Sequence, residues 1–234
     1  MRSLIVNADD LGASDGVNRG IAQAWQHGVV TSASLMVDGS AAAQAAQWVR
    51  ATPPISVGLH LDLAEWEYVA GEWRCRYARV DTADADGVRA EIDRQLGAFV
   101  RLIGRPPTHL DSHQHVHRDE PVSHILDGVG DRLGIPVRGR PGNEVAYRGD
   151  FYGQTGKGEP YWQALTLNAL LALLDDLPDG RTELGCHPGF VDDLDSTYRI
   201  EREMETRVLC EPAVRNRLDA LGIKLISHGE AAAS

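Results

Sequence analysis

The sequence has few cysteines and no long hydrophobic run. Its three cysteines, Cys75, Cys186 and Cys210, form no CxxC pair. This scarcity argues against a disulfide framework and against a Cys-rich structural zinc site, and it predicts a reducing compartment. No stretch approaches the roughly 18 apolar residues of a spanning helix, and the opening MRSLIVNADD has too short an apolar run for a signal peptide. We therefore expect a cytoplasmic protein with no membrane partner.

Positive charge is also scarce. Lys and Arg total 23 against 34 Asp and Glu, which leaves a formal net charge of −11. Nucleic-acid binding depends on clustered Lys and Arg, so this balance argues against a nucleic-acid partner and disfavours an anionic membrane surface. Hydrophobic residues (43%) and charged residues (24%) are at ordinary globular levels. The length of 234 residues predicts one barrel-sized domain over residues 1–234.

Short apolar runs alternate with amphipathic segments along the chain. The predicted strands cover residues 3–8, 29–37, 55–63, 107–111, 135–138, 182–187 and 223–227. The predicted helices cover residues 17–28, 40–51, 84–104, 119–134, 161–177 and 198–221, and the second of them stops before Pro53 and Pro54. Residues 64–82 and 139–160 show no regular pattern and are interpreted as irregular segments.

This alternation indicates the fold class. Strands separated by helices of about a dozen residues are typical of parallel strands with helical crossovers, an α/β architecture. No Gly-rich dinucleotide fingerprint follows a predicted strand, which argues against an open doubly wound sheet. We predict a TIM-like (β/α) barrel that is distorted or incomplete.

Side chains that can bind metals occur at the ends of four predicted strands, where parallel α/β folds place their active residues. They are the pair Asp9-Asp10, His60 in GLHLDL, several residues of THLDSHQHVH at 108–117, and His187 after Cys186. In an extended chain, residues two apart share a face, so four side chains should point the same way: Asp111, His113, His115 and His117. So many titratable groups on one face indicate a metal or substrate site.

These residue types favour hydrolysis of an amide or ester. One carboxylate and two imidazoles suit Zn²⁺ or another first-row divalent ion, while a second carboxylate can act as general base and a further His as general acid. In an extended chain Asp9 and Asp10 cannot both face one metal, which favours one ligand and one base. Considered alone, the Asp9-Asp10 pair is also compatible with a helix N-cap and a solvated loop carboxylate. Considered alone, His60 is also compatible with a hydrogen-bonded histidine in the core.

Five motifs in a fixed order carry a family resemblance. They are VNADDLG, VTSASLMV, GLHL, PTHLDSHQHVH and CHPGFVDD, within residues 5–193, and a weaker match continues through Tyr198 and Arg202. The chain resembles the YdjC-like carbohydrate deacetylases, which include the chitooligosaccharide deacetylases. The resemblance implies a TIM-like deacetylase barrel, often a homodimer, with one divalent metal ion and a small carbohydrate substrate. It also implies removal of an N-acetyl group from an amino sugar or chito-oligosaccharide, with release of acetate.

The resemblance further implies roles for single residues. Asp10, His60 and His113 correspond to the metal ligands, and Asp9 corresponds to the general base. His187 corresponds to the acid that protonates the leaving amine or steadies the oxyanion. Supporting or substrate-lining positions are implied for His115, His117, Arg138 and Asp111, with Arg138 as a support for the catalytic Asp.

Three features have more than one interpretation. The donor set suits Mg²⁺ or Zn²⁺, and Mn²⁺, Co²⁺ or Ni²⁺ are also compatible with it. The aromatic residues of the irregular segment fit either sugar-stacking faces or a local hydrophobic patch: Trp66, Tyr68, Trp73 and Tyr77. The alternative functions are a metal-dependent phosphoesterase on the same type of barrel and a catalytically silent carbohydrate-binding homologue.

Overall fold

The computed structural model describes residues 2–52, 55–191 and 194–232. Its strands are β1 (Arg2–Leu11), β2 (Ser32–Leu35), β3 (Ser56–Leu61), β4 (Ala64–Val69), β5 (Glu72–Ala78), β6 (Leu110–Ser112), β7 (Val145–Arg148), β8 (Gly180–Cys186) and β9 (Lys224–Leu225). Its helices are α1 (Asp15–His27), α2 (Ala42–Ala51), α3 (Ala85–Ile103), α4 (Val122–Leu133), α5 (Leu167–Asp175), α6 (Ile200–Leu209), α7 (Pro212–Ala220) and α8 (His228–Ala232). The two prolines after α2 and the final Asp192-Asp193 of the CHPGFVDD motif lie outside the described residues.

A curled parallel sheet flanked by helices forms the centre of the fold. Its strand order is β6-β3-β2-β1-β8-β7, and β9 also pairs with β1. Leu110 forms one further parallel bridge, to Val137. The sheet is a half-barrel, which confirms the predicted distorted or incomplete α/β barrel. Because the strands are parallel, their carboxyl ends meet at one edge of the sheet.

Side-chain caps mark the starts of α1 and α3, two helices whose predicted and observed bounds agree closely. The Ser14 side chain accepts a hydrogen bond from the backbone N–H of Val17 at the start of α1. Asp84 caps α3 in the same way, and Gly104 ends that helix in the left-handed conformation, with φ 83°. These two helices lie within two residues of their predicted bounds because cap and periodicity agree.

The segment predicted to be irregular contains the antiparallel hairpin of β4 and β5. β4 alternates acidic and aromatic side chains in the order Glu65, Trp66, Glu67 and Tyr68. This period of two is a strand signal, but neither face is fully buried, because the hairpin lies outside the main sheet. A search for buried strands therefore overlooks it.

The region between α4 and α5 also differs from prediction. Within the predicted strand 135–138, only the bridge at Val137 forms, whereas β7 lies inside the predicted loop 139–160. The predicted helix 161–177 begins as a short 3-10 helix and restarts as α5 after the cap at Thr166. The predicted helix 198–221 is divided into α6 and α7, because Pro212 starts a new helix and cannot continue the preceding one.

Aliphatic side chains fill the space between the sheet and its helices. Val6, Leu35 and Leu59 from the strands and Phe99 from α3 are fully buried. Each such side chain contributes about 1.5–3 kcal/mol of burial free energy. Among the described residues, no helix combines the length and the apolar character needed to cross a bilayer. The polar residues at the strand ends lie outside this apolar core and form a separate layer.

Candidate functional site

Two consecutive carboxylates, on the residues just before the last residue of β1, line the same cavity. Asp9 continues the strand, whereas Asp10 adopts φ 66°, in the left-handed region. The pairing of β1 with β2 is irregular between Ala8 and Leu11. Adjacent side chains diverge in an extended chain, but the chain is not extended at Asp10. Both carboxylates can therefore serve one site.

The Asp10 carboxylate lies between two imidazoles. Its Oδ1 is 3.2 Å from Nε2 of His60 and 3.3 Å from Nδ1 of His113. His60 belongs to β3 and His113 directly follows β6, so three strand ends each contribute one side chain. The three groups offer ligand atoms within 4.8 Å of one another. One carboxylate with two imidazoles fits a single divalent cation such as Zn²⁺.

His60 is oriented through its second ring nitrogen. The register of β3 and β6 pairs His60 with Asp111, and Nδ1 lies 2.8 Å from Oδ1 of Asp111. Burial opposes protonation, but the charge of Asp111 and the bonds to both carboxylates raise the pKa of His60. A carboxylate behind an imidazole fixes the tautomer and the direction of the other nitrogen. Asp111 thus supports His60 with Nε2 facing Asp10.

A buried arginine holds Asp9. Nη1 and Nη2 of Arg138 donate to Oδ2 and Oδ1 of Asp9 at 2.6 and 2.7 Å, and the Asn7 side chain donates to Oδ1 at 2.8 Å. Burial disfavours the carboxylate, but the Arg138 guanidinium holds the pKa of Asp9 well below its usual range. Asp9 is therefore ionised and fixed in orientation.

A second group with metal-ligand spacing consists of Asp9, His60 and Asp111. Arg138 already lies 2.6 Å from Asp9 and 2.7 Å from Asp111. A guanidinium thus neutralises this group, and a cation there would face a fixed positive charge. The group of Asp10, His60 and His113 is the better cation site.

Another buried arginine, on α6, holds Asp10. Nη2 of Arg202 lies 2.7 Å from Oδ2 of Asp10, on the side away from the two imidazoles. Burial raises the pKa of Asp10, but Arg202, His113 and His60 together lower it well below its usual range. Asp10 is therefore ionised with one oxygen bound to arginine and the other facing the imidazoles.

His187 follows β8 and lies between two carboxylates. Its Nε2 is 3.9 Å from Oδ2 of Asp9, and its Nδ1 is 3.8 Å from Oε1 of Glu205. The backbone N–H of His187 and the hydroxyl of Tyr198 both donate to the Glu205 carboxylate. Burial lowers the pKa of His187, but Glu205, together with the charges of Asp9 and Asp10, raises it above its usual value. This environment favours protonated His187.

The His-rich segment does not continue as extended chain. After β6 it turns into a 3-10 helix in which Gln114 and His115 have positive φ. The prediction that every second side chain points the same way is therefore wrong. His115 faces Tyr147, with 3.4 Å between Nε2 and the hydroxyl, and burial lowers its pKa to about 3. His117 instead bonds Ser112 at 2.6 Å, and burial lowers its pKa to about 4.

A cavity of about 710 Å³ opens over the carboxylates and imidazoles. Its floor contains Asp9, Asp10, His60, His113 and His187. Its walls include Glu65, His115, Arg118, Tyr147, Tyr152 and Tyr198. The volume is in the range of small-molecule binding sites, about 300–1,000 Å³.

The four aromatic residues of the hairpin region do not line this cavity. Trp66 and Trp73 are 47% and 55% exposed. Tyr68 packs edge-on against Trp73, with ring centroids 5.4 Å apart. Tyr77 instead donates a hydrogen bond to the buried Asp62. Tyr77 is therefore tied to the base of the hairpin, and the exposed aromatic surface belongs to the two tryptophans.

No sequence motif indicates a role for Glu205, and Arg202 lies in the weak C-terminal part of the family resemblance. The two lie three residues apart on α6, a spacing that places them on one helix face. Nothing in that pattern shows that the helix faces the strand ends. Tyr152 also carries no sequence signal; it lies in a loop and stacks on Tyr198, with ring centroids 4.6 Å apart.

Comparison with known proteins decides the family. The sequence model of the family described as YdjC-like protein matches residues 3–220. The chain belongs to the YdjC-like family. The resemblance inferred from the five motifs is thereby confirmed.

Named relatives of this YdjC-like chain cover nearly its whole length. A chitooligosaccharide deacetylase of Serratia marcescens is 34% identical over 95% of this chain and 96% of its own. A carbohydrate deacetylase of Geobacillus stearothermophilus is 34% identical over 98% of each.

Solved structures show the same fold in more distant proteins. One, described as a cellobiose-phosphate cleavage protein of Enterococcus faecalis V583, has a TM-score of 0.79 at 24% identity and 98% coverage of each chain. A peptidoglycan N-acetylglucosamine deacetylase has a TM-score of 0.57 at 15% identity, covering 96% of this chain and 85% of its own. At these identities the similarity concerns the fold of the YdjC-like chain alone.

Proposed function

We propose that this chain is a metal-dependent carbohydrate deacetylase. It removes an N-acetyl group from an acetylated amino sugar or chito-oligosaccharide and releases acetate. The names of its relatives, chitooligosaccharide deacetylase and carbohydrate deacetylase, support the reaction class. The observation that carries the proposal is the convergence of His60 and His113 on Asp10, with Asp9 and His187 in the same cavity.

Asp10, His60 and His113 would hold one divalent ion, with Mg²⁺ or Zn²⁺ as the proposed candidates. When bound, such an ion polarises an amide carbonyl and lowers the pKa of water. The surrounding charges support a cation here. Three buried carboxylates, on Asp9, Asp10 and Asp111, face two buried guanidiniums, on Arg138 and Arg202.

Asp9 is the proposed general base. It is ionised, as a base must be, and it accepts the proton of the attacking water. Arg138 binds both oxygens of Asp9 and restricts rotation of the carboxylate. The orientation of the base therefore depends on the orientation of Arg138.

His187 is the proposed general acid. It donates a proton to the amide nitrogen while the bond to the acetyl carbon breaks. Glu205 raises the pKa of His187, which keeps the imidazole protonated for this step. The 3.9 Å between Nε2 of His187 and Oδ2 of Asp9 supports these two roles, because both side chains line one cavity side by side. A single bound amide can reach both.

The substrate is proposed to be a small carbohydrate. Tyr147 and Tyr152 line the cavity, and their rings can contact the apolar face of a sugar. The predictions of a homodimer, of a cytoplasmic location and of a single domain over residues 1–234 stay predictions from the sequence and its resemblance.

The test is acetate release from N,N′-diacetylchitobiose and from N-acetylglucosamine by purified, metal-analysed protein. His113→Ala removes one proposed ligand, and His124→Ala, at an exposed position on α4, is the matched control. We expect metal-dependent release in the wild type and in His124→Ala, with loss of both bound metal and release in His113→Ala.

Two results would contradict the proposal. Absence of bound metal in protein purified with Zn²⁺ or Mg²⁺ present would remove the cation site. Unchanged acetate release by His113→Ala would exclude this cluster from the reaction. Release of phosphate from phosphoesters by metal-loaded protein, without acetate release from either sugar, would favour the phosphoesterase alternative.

A further inference from the structure

β8 carries a buried glutamate below the cavity. Glu183 lies three residues before Cys186, the last residue of β8, and is 2% exposed. Its Oε1 accepts a hydrogen bond from Nε of Arg138 at 2.7 Å. Glu183 thus binds the arginine that holds Asp9, although Glu183 does not line the cavity.

Arg138 is shared by three carboxylates. Its two Nη atoms bind Asp9, Nη2 also lies 2.7 Å from Oδ2 of Asp111, and both Nε and Nη2 lie 2.7 Å from Oε1 of Glu183. A guanidinium is a rigid planar fork, so a bond at Nε sets the plane in which the Nη atoms meet Asp9. Burial opposes ionisation of Glu183, but Arg138 and His228 lower its pKa to about 2. Glu183 is therefore a carboxylate.

The other oxygen of Glu183 faces a histidine from the last described helix. Nε2 of His228 lies 3.6 Å from Oε2 of Glu183. His228 begins α8, and its backbone N–H donates to Oγ of Ser32 at 3.1 Å, where β2 starts. Its ring stacks on His109, with centroids 3.8 Å apart and planes at 19°. His228 is thus anchored at the opposite end of the sheet from the cavity.

We infer that Glu183 and His228 are positioning residues for the proposed deacetylation. They set the plane of Arg138 and thereby the direction of the Asp9 carboxylate. The inference rests on the proposed role of Asp9 as general base. Neither side chain would touch substrate, because both act through Arg138. A two-bond contact between guanidinium and carboxylate depends on coplanarity, so a tilt of Arg138 weakens one of its bonds to Asp9.

The first measurement reads Arg138 directly and needs no substrate. In full-length protein carrying ¹⁵N-arginine, NMR records the Nε–H resonance of Arg138, which is assigned by its loss in Arg138→Lys. We expect Glu183→Gln to shift this resonance strongly. We expect His228→Phe, which keeps a ring on His109, to shift it less. The Nε–H of Arg202 is the internal control and should stay in place, because Arg202 binds Asp10 instead.

The second measurement is the kinetics of acetate release by the same proteins. Loss of a supporting partner typically lowers activity about 10- to 100-fold. We expect Glu183→Ala to lower kcat in that range with KM and metal content unchanged. Glu183→Gln still accepts a hydrogen bond and should recover part of the loss. Glu144→Gln is the matched control, because it removes the carboxylate charge from an ion pair with Arg181, which lies on β8 like Glu183, and should leave kcat unchanged.

The two measurements separate the inference from the proposed function. An Arg138 resonance that is unshifted in both Glu183→Gln and His228→Phe overturns the inference, whatever the activity. Wild-type kcat in Glu183→Gln and His228→Phe also overturns it, and these variants serve if Glu183→Ala does not fold. If metal-loaded wild type releases no acetate, the proposed function fails, and the NMR comparison alone decides whether Glu183 and His228 orient Arg138.

Discussion

Asp10 shows how one backbone torsion controls the chemistry of this site. Its φ of 66° turns the chain at the end of β1, so that Asp10 and its neighbour Asp9 line one cavity. The left-handed conformation costs a typical non-glycine residue about 1–2 kcal/mol. Contacts of the Asp10 carboxylate with Arg202, His60 and His113 offset that cost. The strain is located where the proposed base, Asp9, and the proposed metal ligand, Asp10, lie side by side.

Asp9→Asn should separate metal binding from turnover. The amide can still contact Arg138, and the three proposed ligands are unchanged, so we expect metal content at the wild-type level. An amide cannot accept the proton of water, and general base catalysis contributes about 10²- to 10⁴-fold. Acetate release should fall by that factor. Metal analysis and acetate assays on the same preparation check both parts, and full activity would remove Asp9 from the mechanism.

Glu205→Gln should move the alkaline side of the pH–activity profile. His187 must be protonated to act as acid, so activity falls as pH rises through the pKa of His187. Glu205 raises that pKa, and the neutral amide removes the raising charge. We expect the alkaline limb of kcat/KM to shift to lower pH.

Glu203→Gln, on the same helix, is the control for this profile and should leave it in place. An alkaline limb that is identical in Glu205→Gln and wild type would mean that Glu205 does not set the protonation of His187.

At the scale of elements, a close approach between α1 and the turn after β8 determines where His187 lies. A Cβ at Gly20 would be 2.3 Å from Cα of Gly189, two residues after His187. The backbone of the turn also bonds α6, through the N–H of Gly189 and Oγ1 of Thr206 at 2.9 Å. The turn therefore has little freedom to move away from α1.

Gly20→Ala should destabilise the fold and impair the site together. Overpacking of this kind costs about 1–3 kcal/mol of unfolding free energy. Because the turn must shift, kcat should fall as well. Gly128→Ala on α4 is the matched control, since nothing lies within 4 Å of its added Cβ. There the helix propensity of Ala should stabilise by about 0.5–1 kcal/mol.

Urea unfolding of both glycine variants, followed by kinetics at a temperature where each is folded, checks this prediction. Equal stability of Gly20→Ala and wild type would show that the helix and turn can separate at no cost.

Two of the elements that the sequence did not predict share a physical cause. β4 and β5 pair with each other outside the main sheet, and the 3-10 turn after β6 is stabilised by side chains such as Ser112, which bonds both the backbone and the ring of His117. Both features depend on local pairing rather than on burial of an apolar face. Hydrophobic periodicity reports burial, so it finds α1 and α3 but not these segments.

At the scale of the whole molecule, metal binding should appear as added stability. A ligand that binds only the folded state stabilises it by about 2.7 kcal/mol when its concentration is 100 times Kd. Protein from which a chelator has removed the metal should stay folded, because its core is aliphatic and separate from the site. Its melting temperature should rise as Zn²⁺ or Mg²⁺ is added back. Differential scanning fluorimetry measures this rise.

His113→Ala and His124→Ala provide the comparison for the melting experiment. The first variant loses a proposed ligand and should show a much smaller rise, whereas the second should match the wild type. A rise of equal size in both would place the stabilising ion elsewhere in the molecule.

Local patterns in the sequence are enough to predict the α/β class, the order of most strands and helices, and the residue types at the strand ends. These properties depend on local periodicity, on caps such as Ser14 and Asp84, and on motifs read in order. Which of those residues come into contact depends on the three-dimensional fold. Arg138 reaches Asp9 across 129 positions, and Arg202 reaches Asp10 across 192. Such pairings depend on how the strands curl and which helix face turns inward, and no local pattern encodes either.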